Sequence, residues 1–135
     1  MNVKKLTVFM FILAALLWGC AKESTLQPTD TANVTMTVSD VTPIGVTVTI
    51  QDSNPEPFVY GTWYRIEQEK GGIWYEVKTK ITNYGFDEIG WLTDDQGMLT
   101  MTVDWEWLYG KLAAGHYRIL KEAGGQIISA EFDVE

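Results

Sequence analysis

From Asn33 to the C-terminus the apolar residues return at every second position. Val34, Met36 and Val38 alternate with Thr35, Thr37 and Ser39; past Pro43, Ile44, Val46, Val48 and Ile50 alternate with Gly45, Thr47, Thr49 and Gln51. Leu99, Met101, Val103 and Trp105 repeat the pattern against Thr100, Thr102 and Asp104. Successive side chains of an extended strand point to opposite faces, so this spacing makes strands with one buried and one wet face. A helix would scatter the same residues around its circumference. After residue 20 only Glu106 to Lys111 suits a helical turn. A chain written this way must pack sheet against sheet.

The turns divide the strands. Asn54-Pro55-Glu56-Pro57 lacks two amide donors and cannot lie inside a sheet, and Asp94-Asp95-Gln96-Gly97 is a second break. Phe58, Tyr60, Tyr64 and Ile66 share one strand face, and Ile73, Tyr75 and Val77 share the next. In an antiparallel hairpin the indices of facing residues have a constant sum, here 141, which centres the turn on Lys70-Gly71 and sets Ile66 against Tyr75. Trp63 and Trp74 then fall on the outer face. The last hairpin turns at Gly124-Gly125 with a sum of 249, setting Tyr117 against Phe132 and Ile119 against Ala130. Ile81 to Gln96 reads as a loop with one short strand at Ile89 to Leu92. Seven or eight short strands in about 100 residues make an all-β, two-layer antiparallel sandwich.

The N-terminus has a different character. Lys4 and Lys5 precede an apolar run, Leu6 to Trp18, broken only by Thr7. Its 13 residues would make a helix of roughly 20 Å, too short for a hydrocarbon core of about 30 Å but suited to a secretion signal. Leu17-Trp18-Gly19-Cys20 resembles the lipobox of bacterial lipoproteins. The resemblance implies acylation of Cys20 and cleavage before it, leaving a protein held by lipid on the outer side of a bacterial cell membrane. Residues 1–19 are then the signal peptide, and 20–32 a lipidated cysteine with a flexible polar tether, Ala21 to Thr31, whose one large apolar residue is Leu26. Residues 33–135 are the folded domain. Cleavage removes two lysines and no acid, leaving 8 basic against 18 acidic residues. That balance disfavours nucleic acid and anionic lipid as partners. Cys20 is the only cysteine, so no disulfide can support the fold.

Three blocks carry a family resemblance: Tyr60-Gly61-x-x-Tyr64-x-Ile66-Glu67, Gly72-x-Trp74-Tyr75, and Trp105-x-Trp107-Leu108-Tyr109-Gly110-Lys111-Leu112-x-x-Gly115-x-Tyr117-Arg118-Ile119. Together they resemble a bacterial immunoglobulin-like domain family, found in secreted and lipid-anchored proteins mostly of Gram-positive bacteria. The resemblance spans roughly Thr35 to Val134 and implies an immunoglobulin-like sandwich with no known catalytic residues. Leu112-x-x-Gly115-x-Tyr117 also reads as a tyrosine corner, with Tyr117 in a structural role.

The residues that carry chemistry form no catalytic set. His116, the sole histidine, is expected on the outer face without the partners a metal site or triad needs. Asp94 and Asp95 lack the spacing of a calcium loop, and Asp104 with Glu106 defines no glycosidase cleft. Glycine-rich phosphate loops and nucleophile elbows are absent from the sequence. The expectation is therefore a non-catalytic, lipid-anchored extracellular module for protein interaction or surface display, with no metal and no cofactor. The alternative is a carbohydrate-binding module that stacks sugars on Trp63 and Trp74.

Overall fold

Val48 and Ile50, at the centre of the first alternating run, have no exposed surface, while Thr47, Thr49 and Gln51 between them keep part of theirs. The computed structural model describes residues 21–135. The signal peptide at 1–19 and the acylation at Cys20 lie outside the described residues. Seven strands are formed: β1 (Val34–Thr42), β2 (Gly45–Asp52), β3 (Arg65–Lys70), β4 (Ile73–Glu76), β5 (Met98–Asp104), β6 (Gly115–Ala123) and β7 (Gln126–Val134). One helical turn, α1 (Glu106–Tyr109), follows β5. The strands make two antiparallel sheets, β1-β2-β5 and β4-β3-β6-β7, which is the layered sandwich that the alternation requires.

Between the sheets lies an aromatic stack. Trp105 packs on Phe132 with ring centres 5.6 Å apart, and Phe132 packs on Tyr117 at 5.8 Å. Ring pairs of this kind add about 0.5 to 1.5 kcal/mol beyond the area they bury. The indole N–H of Trp105 donates to the Pro43 carbonyl at 2.9 Å, so the largest core side chain leaves no buried donor unpaired.

The β6–β7 hairpin has the expected register, from Gly115 opposite Val134 to Ala123 opposite Gln126. The β3–β4 hairpin does not. Glu67 faces Glu76 and Lys70 faces Ile73, a sum of 143 rather than 141. The reason is the turn: a two-residue hairpin loop of this kind needs positive φ at both positions, and Gly71 (60°) and Gly72 (80°) supply it where the expected centre would have used Lys70. Both sums are odd, so the inward and outward sets survive the shift. Ile66 now aligns with Val77, whose amide donates to the Ile66 carbonyl at 3.2 Å.

Two further expectations are corrected. The strand drawn through Phe58 to Ile66 begins only at Arg65, because the carbonyls of Gly61 and Trp63 turn to the buried Lys121 ammonium, both at 2.9 Å, rather than to a neighbouring strand. The short strand at Ile89 to Leu92 shrinks to an isolated bridge between Tyr60 and Trp91.

The segment expected to be a flexible tether is docked. The Glu76 amide donates to the Lys22 carbonyl at 2.8 Å, the Ser24 amide to the Trp74 carbonyl at 2.9 Å, and the Thr29 amide to the Ile127 carbonyl at 2.9 Å. The segment from Lys22 to Thr29 thus runs from the free edge of β4 to β7 at the opposite edge of the sheet. Few apolar residues are needed for this. An edge strand presents unpaired backbone groups, and the segment satisfies them.

Candidate functional site

The open side of the sandwich, next to β5, is covered by the irregular segment between β4 and β5. Two backbone hydrogen bonds between Tyr60 and Trp91, at 3.0 and 2.7 Å, hold it there, and a third joins the Lys80 amide to the Leu108 carbonyl at 2.8 Å. Tyr60 is itself fixed from within. Its hydroxyl donates to Asp52 at 2.8 Å, and Asp52 also accepts the Phe58 and Asn54 amides at 2.8 and 3.0 Å. Burial raises the Asp52 pKa, but these bonds outweigh it and hold the carboxyl below its usual range.

Between this segment and β5 lies a groove with a volume of about 350 Å³. Its walls are Tyr64, Phe86, Trp91 and Trp107, with Asp87 and Asp104 among them and Lys121 reaching it from β6. The rings brace one another edge to face: Tyr64 on Phe86 at 5.2 Å, Phe86 on Trp107 at 6.0 Å, and Tyr84 on Trp107 at 6.3 Å. Asp104 orients Trp107 by accepting the Glu106 amide on its carboxylate at 2.9 Å and the indole N–H on its carbonyl at 3.0 Å. Trp91 and Trp107 nevertheless keep 42% and 41% of their surface exposed, a large share for side chains of this size. Burial pushes the Lys121 ammonium down to about 8. The groove therefore offers aromatic faces and two carboxylates, while the buried Lys121 ammonium is engaged by the Gly61 and Trp63 carbonyls.

At the far end of β6 the chain turns a corner. The Tyr117 hydroxyl donates to the Ala113 carbonyl at 2.7 Å, and the amide of buried Leu112 donates to the Pro43 carbonyl at 2.9 Å. A β-carbon at Gly115 would come within 2.7 Å of the end of the Gln68 side chain, which would have to move aside. Two packed antiparallel sheets and this corner form the immunoglobulin-like arrangement, and residues 30–134 match the model of the bacterial Ig-like domain family. The chain belongs to that family. No curated protein matches it.

Bacterial Ig-like domains are typically non-catalytic. The match opens at residue 30, so the family's domain takes in the end of the docked segment as well as the strands. Among the described residues no helix is long and apolar enough to cross a membrane.

Trp63 and Trp74 stand apart from the groove. Both are half-buried. Trp63 gives its carbonyl to Lys121, and Trp74 carries the Arg118 guanidinium 4.4 Å from its ring centre. The exposed aromatic surface belongs instead to Tyr84, Trp91 and Trp107. The sequence held one signal for this: the apolar run Ile89 to Leu92 had no strand with which to pair.

Arg118 covers a buried ion network on the outer face of the four-stranded sheet. Its Nε and Nη2 donate to Glu67 Oε1 at 2.9 and 2.6 Å, and Arg65 donates to Glu67 Oε2 at 3.0 and 2.7 Å. Burial raises the Glu67 pKa, but bonds from Ser24, Arg65 and Arg118 outweigh it and hold the group ionised below the usual range.

His116 has the partners the sequence reading denied it. Asp133, directly opposite on β7, meets Nδ1 at 2.7 Å, and Glu131 meets Nε2 at 2.8 Å. Bonds to Glu131 and then Asp133 raise the imidazole pKa. Glu69 completes a trio with His116 and Glu131 whose donor atoms lie within 4.8 Å of one another, close enough together to hold a metal ion. The index sum of 249 already placed Asp133 across from His116.

Proposed function

We propose that this bacterial Ig-like domain is a non-catalytic module, anchored by lipid on Cys20 at the outer side of a bacterial cell membrane, that binds a protein partner through the aromatic groove. The observation that carries the binding role is the exposed apolar surface of the segment that walls the groove: Val59, Ile89, Trp91 and Leu92 are all exposed, Leu92 by 74%, and Trp91 lines the groove with Trp107. Surfaces of this kind mark places that a partner covers, and tryptophans at their centre dominate the binding energy. Aliphatic Val59, Ile89 and Leu92 suit a protein better than a sugar, which stacks on rings. The anchor rests on Leu17-Trp18-Gly19-Cys20 and the positive, apolar segment before it.

Two measurements test the reading. Intact mass of the protein extracted from membranes should show a chain beginning at acylated Cys20, and Cys20→Ser should abolish the lipid. Crosslinking on intact cells should capture a protein whose band disappears with Trp91→Ala or Trp107→Ala and persists with Trp74→Ala. A band indifferent to all three overturns the groove as the binding face.

A glycan reading has one observation in its favour, the presence of Asp87 and Asp104 beside Phe86 and Trp107, since acceptors next to rings suit hydroxyl-rich ligands. Glycan-array binding lost with Trp107→Ala would favour it. The version built on Trp63 and Trp74 has weaker support, because the Trp74 ring already carries Arg118.

A further inference from the structure

The domain is acidic overall, yet its cations are not spread evenly. Of the eight basic residues that follow Cys20, four line one open groove along the β4 edge: Lys22, Arg65, Lys70 and Lys78. Glu76 is the single carboxylate among the lining residues of this cavity of about 650 Å³. Lys22 and Arg65 share Glu76 at 3.0 and 2.9 Å, while Lys70 and Lys78 are exposed and make no ion pair among the described residues.

The groove also marks where the anchor emerges. Ala21, the residue after Cys20, lines its rim. The next residue, Lys22, is fixed by the bond from the Glu76 amide, and Ser24 by its bond to Trp74. From a pinned Lys22 back to Cys20 the chain can span at most about 7 Å. Eleven flexible residues would have left the domain free to tumble about 35 Å from the bilayer. A docked segment instead presents the β4 edge to the membrane.

We propose that this basic groove is the membrane-facing surface of the domain and that it binds the headgroups of anionic phospholipids. Its orientation rests on the lipid-anchor reading above; its charge complementarity does not. Basic residues near an anionic surface each strengthen binding about fivefold, and the effect acts within a screening length of about 8 Å at physiological salt. Lys22 and Arg65 are engaged by Glu76, and Arg65 by Glu67 as well, so the uncompensated positive charge at that range comes from Lys70 and Lys78. The repulsion from anionic lipid expected from net charge alone is thereby reversed for this one face. Acyl chain and basic patch together make the two-part attachment that stable anchoring needs.

The test uses the chain from residue 20 to 135 with Cys20→Ser, which carries the whole domain and docked segment but no lipid. It is sedimented with phosphatidylcholine vesicles alone or with about a third phosphatidylglycerol. The expected result is at least 25-fold stronger binding to the anionic vesicles, declining as salt is raised to about 0.5 M. Lys70→Glu with Lys78→Glu, at an unchanged melting temperature, should weaken binding at least 25-fold, two fivefold steps. Equal sedimentation with both vesicle types, or undiminished binding by the double variant, overturns the proposal. Acylation plays no part in this assay, so its outcome is separate from the mass measurement that tests the anchor.

Discussion

Arg118 clamps Glu67 with two hydrogen bonds, at 2.9 and 2.6 Å, although the carboxylate side chain is wholly buried on what should be the wet face of a sheet. Cross-strand pairing sets the two residues opposite each other, Trp74 lies over the guanidinium, and Ser24 of the docked segment bonds the same carboxylate. Removing Arg118 leaves Arg65 alone to compensate the buried carboxylate, so Arg118→Ala should lower stability by about 1.5 to 3 kcal/mol, the range for hydrogen bonds to a charged group. The Glu67 pKa is held below its ordinary 4.5, so this contribution is complete above about pH 4.5 and declines as pH falls toward the folded-state value. Urea melts of wild type, Arg118→Ala and Glu67→Gln at pH 7 and pH 3 check both statements. A difference that stays constant with pH would contradict the second.

The docked segment protects that pair, and it was the element least legible in the sequence. Ala21 to Thr31 has the composition of a tether, and composition reports what a segment can bury, not which backbone groups await it. A chain starting at residue 32 should melt several degrees lower, with faster hydrogen exchange in β3 and β4 than in β1 and β2. Uniform exchange across both sheets would show that the segment only rests on the surface.

Lys121 faces the interior, where its ammonium donates to the carbonyls of Gly61 and Trp63. Lys121→Met keeps much of the volume but leaves both acceptors unpaired, a loss of about 1 to 3 kcal/mol for a buried polar group. The pH dependence runs opposite to that of an ordinary lysine pair. With the folded-state pKa pushed down to about 8 and an unfolded value near 10.5, the unfolded chain binds more protons between these limits. Wild-type stability should therefore rise from pH 8 to pH 10 relative to Lys121→Met. A flat difference over that window would contradict the assignment.

The alternation of threonine with valine and isoleucine prescribed β1, β2 and β5, because period two has one structural solution when one face must be buried. It prescribed the β6–β7 register as well, since Gly124-Gly125 could only be the turn. The β3–β4 register was missed by two because both turn residues of this loop need positive φ, and Gly71-Gly72 meets that where Lys70-Gly71 does not. Gly72→Val should therefore lower stability by about 1 to 2 kcal/mol, while Lys70→Ala should have little effect. The groove was less legible than the strands, since its walls come from an irregular segment and from tryptophans at no fixed period. Tyr117 was legible from Leu112-x-x-Gly115-x-Tyr117 alone; with its hydroxyl on Ala113 at 2.7 Å, Tyr117→Phe should remove about 0.5 to 1.5 kcal/mol in thermal melts.

His116 lies across the β6–β7 hairpin from Asp133. Its two nitrogens meet Asp133 and Glu131 at 2.7 and 2.8 Å, a geometry that holds the imidazolium. The folded-state pKa is raised above 6.5, so the stabilising contribution is complete below about pH 6.5 and is lost as pH rises through the folded-state value. NMR titration of the imidazole should give a midpoint above 6.5 that falls with Glu131→Gln and falls again with Asp133→Asn. The same spectra provide a check on the trio with Glu69: a divalent ion competes with the proton for Nε2, so added zinc should lower the midpoint if the three donors close on a metal. A titration that zinc leaves in place would assign the cluster to charge pairing alone.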